Sequence, residues 1–249
     1  MSLKLSGNIK SIIITILVLT IVFAFNDGRE SLMLALWLKN FFYILLLTSI
    51  SFLVLFLGFK LAAKYYDGDI EIRLSYITRF GFARGAQMEE IKIGKKIKVR
   101  RIYLGIIVSL LTTLLSYGKA FFTQIYSFET ESNRLGHRWR NITQFQEAII
   151  VIAGLAASLI LLVIFKSMHI EKGVLINTWL IAWNLLPLGN LPGSKIFFGS
   201  RTLYVLAVAF FGFTLFLLPV LPITITILLA LLFALTITIF YFTKIEYIK

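Results

Sequence analysis

Six long stretches of the chain carry no charged residue: 11–26, 40–59, 102–118, 148–165, 173–194 and 202–243. Each of the first five approaches the ~20 residues a helix needs to cross a ~30 Å hydrocarbon core, and the last is long enough to cross twice. Six or seven spans are therefore predicted, at about 11–26, 40–64, 102–120, 147–166, 174–197, 202–218 and 222–243. The expected fold class is an all-α multi-pass membrane protein, one membrane domain over 1–249. Composition agrees: 59% of the 249 residues are hydrophobic, against roughly 45–50% in soluble domains. A water-soluble fold of this size has no interior large enough for that apolar surface.

The net charge of +13 does not point to nucleic acid, because basic residues in a membrane protein mostly set topology. Their largest group lies between residues 65 and 101: Arg73, Arg79, Arg84, Lys92, Lys95, Lys96, Lys98, Arg100 and Arg101. The positive-inside rule places this loop in the cytoplasm, and the N-terminus two spans earlier with it. Lys4 and Lys10 precede the first apolar run as they would in a signal peptide. That run ends in Ala24-Phe25-Asn26-Asp27 without a small-x-small cleavage site, so a retained helix is expected. The chain has no cysteine, which excludes disulfides and thiolate metal sites.

Within the basic loop the hydrophobic period changes to two. Ile70, Ile72 and Leu74 alternate with Glu71, Arg73 and Ser75, and Ile91, Ile93, Ile97 and Val99 flank Gly94-Lys95 as in a hairpin. A small β-rich insertion over 67–101 is predicted at the cytoplasmic surface. A second polar loop, 119–146, is expected on the opposite side of the membrane. It carries the sequon Asn141-Ile142-Thr143 and a lone His137, which is read as solvated because nothing is spaced to join it on a metal.

Two later segments stand out. Residues 153–158, Ala-Gly-Leu-Ala-Ala-Ser, put small side chains on adjacent helical faces, a surface for close helix approach. Residues 177–193 are interrupted by Asn177, Asn184, Pro187, Gly189, Asn190, Pro192 and Gly193. Broken backbone at membrane depth is tolerated only inside protein or beside a water-filled cavity. Pro219 and Pro222 divide the last run into two helices.

Three of these segments carry a resemblance. Residues 176–187, ending Asn184-Leu185-Leu186-Pro187 and followed by Leu191-Pro192-Gly193, resemble the Asn-Leu-Leu-Pro and Leu-Asp-Gly elements of the site-2 proteases. These are intramembrane zinc metalloproteases of the M50 type. Residues 55–66 are similar to that family's HExxH helix with its trailing Lys and Ala-Lys-aromatic tail, and residues 153–158 to its Ala-Gly-Pro-x-Ala-Asn. The resemblance spans about 40–197 and implies a site-2-protease-like helical bundle.

It also implies what is missing. The family's two zinc-binding histidines fall on Leu55 and Phe59, its catalytic glutamate on Phe56, and its metal-binding aspartate on Pro192. A catalytic zinc needs three protein ligands and an open position for water, and these side chains offer no donor atom. All twelve acidic residues lie outside the uncharged runs, and His169 sits in the turn 166–172. The expectation is a protein that is not an enzyme, with no metal and no cofactor: a pseudoprotease acting as scaffold or complex subunit. Its expected partners are membrane lipids and other membrane proteins or their transmembrane helices. Leu55, Phe56 and Phe59 share one helical face, and the two phenyl rings are predicted to fill the space toward 187–193.

Lys60 is read as snorkelling its ammonium to the interface. Candidate partner-binding residues are Ile91, Ile93, Lys95, Lys96, Asn184, Pro187 and Gly193, with an extended partner segment adding to a sheet edge at 91–93 or 70–74. Two rival readings stand beside this one: an active protease whose ligands lie elsewhere, and a small transporter or channel subunit using the polar 177–193 segment.

Overall fold

The computed structural model describes residues 2–26, 34–75, 103–132, 134–135, 138–139, 142–189 and 191–246. In chain order the elements are α1 (Ser2–Ala24), α2 (Leu34–Tyr65), β1 (Gly68–Leu74), α3 (Leu104–Leu115), β2 (Tyr126–Ser132), β3 (Arg134–Leu135), β4 (Arg138–Trp139) and α4 (Gln144–Ser167). Then follow α5 (Glu171–Leu185), α6 (Pro192–Gly199), α7 (Arg201–Leu217) and α8 (Ile223–Tyr241), with a closing π-helical turn Phe242–Glu246. The chain is mostly helical with a small two-stranded antiparallel sheet. The predicted insertion around Ile91, Ile93, Lys95 and Lys96 lies outside the described residues.

Among the described residues three helices are long and apolar enough to cross a membrane: α2, α4, and α8 with the turn that extends it to Lys244. That is fewer than the six or seven predicted, and local backbone chemistry accounts for two of the differences. The predicted span 174–197 is two helices. Leu186 is extended at φ −70°, ψ 131°, as the residue before a proline prefers, and Gly189 takes a positive φ of 52°. The run 102–118 supplies only the 12 residues of α3, about 18 Å of helix. There Tyr117 (φ 51°) and Gly118 (φ 71°) turn the chain back, and residues 119–125 return alongside α3. The Ser109 hydroxyl donates to Phe122 O at 2.6 Å. At Gly105, a Cβ would come within 2.7 Å of Gln124 O, so the two segments pass at backbone contact.

This return corrects the placement of the second loop. β1 pairs antiparallel with β2 in the register Ile70↔Thr130 and Ile72↔Phe128, so part of 119–146 lies beside part of 67–101. Two strands hydrogen-bonded to each other cannot be separated by a bilayer. Ile70, Ile72 and Phe128 are buried on the inner face. On the outer face Arg73 sits between Glu71 (2.8 Å) and Glu129 (2.6 Å), carboxylates that the ladder sets opposite each other.

The bundle core forms where α2 crosses α4. A Cβ at Gly58 would stand 2.8 Å from Gly154 Cα and from Ala157 Cβ, so the small-residue stretch at 153–158 packs as its composition predicts. Hydroxyls and amides add cross-helix bonds: Thr20 with Thr48 at 2.7 Å, and Asn177 Nδ2 to Ser51 Oγ at 2.9 Å. α4 opens on a capping box, the Thr143 hydroxyl accepting from Gln146 N and the Gln146 side chain from Thr143 N. After Leu217 the chain turns through Pro219 and Pro222 into α8, the helical hairpin that the prolines predict.

Candidate functional site

Leu55, Phe56 and Phe59 are all buried, and the face they share points into the bundle. Phe59 decides the local geometry. A Cβ at Gly154 would lie 2.1 Å from its ring atoms Cδ1 and Cε1, so the ring occupies space that only a glycine leaves. On its other side it stacks on Phe128 of β2, centroids 4.9 Å apart and planes at 23°. The ring is thus held between Gly154 of α4 and Phe128 of β2. Lys60 is exposed, and its ammonium stands 5.9 Å from the Phe56 ring centroid.

The α6 segment reaches the same cluster one layer further out. Pro192 is buried at the first turn of α6, where its fixed φ and missing N–H are harmless. One turn on, Lys195 Nζ lies 4.1 Å over the Phe128 ring and 3.3 Å from Glu147 Oε1. Thr130 also donates to that carboxylate oxygen. Burial pushes the Lys195 ammonium below the usual lysine range, while the Glu147 carboxylate pulls it back up. Both side chains are mostly buried, 19% and 24% exposed, and each supplies the other's compensating charge.

Asn184, Pro187 and Gly193 divide among different surroundings. Asn184 is fully buried; its Nδ2 donates to Leu180 O at 2.6 Å and its Oδ1 accepts from the Tyr126 hydroxyl at 3.0 Å. Its polar atoms are therefore committed within the fold. Burial pushes the Tyr126 phenol well above its ordinary range, and the ring meets Phe52 edge-on at 5.0 Å. Gly193 is buried because a Cβ would stand 2.5 Å from Leu185 O and Leu186 O; its absence lets α6 abut the end of α5. Pro187 alone of the three is exposed.

Among the described residues the sheet has one edge without hydrogen-bond partners. Ile72 donates away from β2, to Asn8 Oδ1 at 3.0 Å, and Ile70 donates to its neighbour Asp69 Oδ1 at 2.8 Å. The outward donors of β1 at 70 and 72 are thus occupied. By the alternation of an antiparallel ladder, their partners Thr130 and Phe128 also turn N–H and C=O away from the pair. Among the described residues nothing bonds to those backbone groups.

No group of three His, Cys, Asp or Glu side chains comes together among the described residues. Glu147 already holds Lys195 and Thr130. Sequence reasoning missed this pair, whose members are 48 positions apart, and nothing in either local sequence announces it. It also missed β2, whose signal is present: Tyr126, Phe128 and Thr130 alternate with Ser127, Glu129 and Glu131. No protein-family model, curated protein or solved structure matches the chain.

Proposed function

We propose that the chain is a catalytically inactive, site-2-protease-like multi-pass membrane protein that binds partner membrane proteins. The observation that carries this reading is a convergence. Segments resembling two of the family's motifs meet at the Phe59 ring, which takes the space Gly154 leaves on α4, and Lys195 of the third segment lies over the Phe128 that stacks on Phe59. On the resemblance, leucine, phenylalanine and proline at 55, 59 and 192 stand where a metal's ligands would be. Side chains without donor atoms cannot hold zinc, and nothing then lowers the pKa of water toward 7.

Partner binding on this reading uses the open edge of β2 at Phe128 and Thr130. An extended juxtamembrane segment adds there as a third strand through backbone hydrogen bonds, which need no metal. The occupied donors at Ile70 and Ile72 move the docking edge from β1 to β2. Lys95 and Lys96 favour acidic partners or anionic headgroups.

Two measurements test the proposal. The purified protein is expected to carry no stoichiometric zinc by mass spectrometry and to show no chelator-sensitive cleavage of a membrane-spanning peptide. About one zinc per chain, or such cleavage, overturns the inactive reading. For the docking edge, Thr130→Pro deletes an outward backbone donor, whereas Thr130→Val deletes only the hydroxyl and Lys96→Gln only a charge. Co-purifying partners are expected to be lost with proline and kept with valine. Loss with Lys96→Gln and retention with proline would make the attraction purely electrostatic.

A further inference from the structure

α7 and α8 flank an open apolar groove of about 410 Å³, lined among others by Tyr204, Val208, Gly212, Phe216, Phe233 and Ile237. Gly212 makes it: a Cβ there would meet nothing within 4 Å. From Tyr204 to Phe216 the groove follows α7 for about 18 Å, a little more than one leaflet of a ~30 Å hydrocarbon core. A channel set by one missing side chain is too narrow for a helix, whose diameter with side chains is about 10–12 Å.

The groove has a charged end. α7 and α8 form a hairpin with Phe213 stacked on Phe233 at 4.0 Å; continued along the pair, that antiparallel register sets Lys244 level with the first turn of α7, where Arg201 stands. Both are exposed, and neither has an ion pair among the described residues. The two side chains put two cations at this end.

We propose that the α7/α8 groove binds one acyl chain of an anionic phospholipid, with its phosphate held between Arg201 and Lys244. The apolar walls match methylenes, the length matches a single leaflet, and the paired cations match a headgroup at the interface. The inference rests on the membrane placement of the α7/α8 hairpin and is independent of the pseudoprotease reading, which the zinc and cleavage measurements test separately.

The full-length protein, reconstituted in equimolar phosphatidylglycerol and phosphatidylcholine and extracted in mild detergent, is examined by native mass spectrometry for retained lipid. One phosphatidylglycerol per chain is expected, with phosphatidylcholine retained at least fivefold less. Arg201→Gln and Lys244→Gln are each expected to lower phosphatidylglycerol retention about fivefold. Gly212→Leu, which fills the groove, is expected to remove retention of both lipids. Thermal unfolding close to that of the parent protein establishes that each variant is folded. Equal retention of the two lipids by the parent protein overturns the proposal. So does undiminished phosphatidylglycerol retention in Gly212→Leu, because charge without the groove would then be sufficient.

Discussion

Gly154 and Gly212 both sit mid-helix in apolar runs, and their surroundings are opposite. At Gly154 a phenyl ring stands where a Cβ would go, and at Gly212 a Cβ would touch nothing. The first belongs to the junction of α2, α4, α6 and β2, closed by ring stacking, an ion pair and cross-helix hydrogen bonds. The second belongs to the α7/α8 hairpin, where Phe216 is 75% and Leu228 62% exposed. Glycine therefore does two jobs in one chain: it lets the junction close, and it keeps the hairpin open. In the proposals above, the closed region is the filled catalytic position and the open one meets lipid.

The contrast predicts where the chain is sensitive. The largest effect is expected at the ion pair: Glu147→Ala leaves the Lys195 ammonium mostly buried without its counter-charge and should cost about 3 kcal/mol. Unfolding in detergent measures it, and a loss below ~0.5 kcal/mol would mean that water compensates Lys195 and the junction is less closed than described. The double replacement Glu147→Gln with Lys195→Met should recover most of the loss, since it removes both charges.

Gly154→Ala comes next. Its new methyl must displace the Phe59 ring, which Phe128 holds from the other side, so a cost of about 2 kcal/mol is expected. Combining it with Phe59→Leu should return part of that cost, because the smaller side chain vacates the contested space. Additive losses in the double variant would show that the two residues do not compete.

Tyr126→Phe should be milder, about 1 kcal/mol, with Asn184 Oδ1 losing its donor while the ring keeps its place against Phe52. A variant as stable as the parent would show that water reaches Asn184, and the junction would then resemble the hairpin in hydration.

The sequence makes some of this legible and hides the rest for physical reasons. The Pro219/Pro222 break, the alternation at Ile70–Leu74 and the small-residue surface at 153–158 are local signals, and each appears in the fold. An uncharged run records what a segment tolerates, not whether its backbone continues as one helix. The pre-proline residue Leu186 and the positive-φ pair Tyr117-Gly118 stop helices inside runs that read as single spans. The pairing of β1 with β2 follows from that reversal, and the Lys195–Glu147 contact depends on where α6 abuts α5 and β2. No window of sequence contains either one. At the candidate site, the residues Leu55, Phe56 and Phe59 and their shared burial are legible from helical spacing. The partners of Phe59 are not, because they come from two other elements.

The smallest predicted effect is also the most diagnostic, because it reverses sign. Gly212→Ala adds a methyl group in a region where nothing lies within 4 Å. It pays no packing cost and reduces the backbone freedom that glycine contributes to the unfolded chain. Within a helix interior the exchange should stabilise by roughly 0.5 kcal/mol. The same exchange at Gly58 should destabilise, since its methyl would meet Gly154 Cα, a backbone atom that cannot rotate aside, at 2.8 Å. Measured side by side on protein stripped of lipid, the two alanine variants should shift the unfolding midpoint in opposite directions. A loss of stability at both sites in protein that retains its lipid would mean that the α7/α8 groove is filled by something a methyl group displaces. Lipid removal before the measurement distinguishes the two cases: with the groove emptied, Gly212→Ala should become stabilising, whereas Gly58→Ala should stay as costly as before.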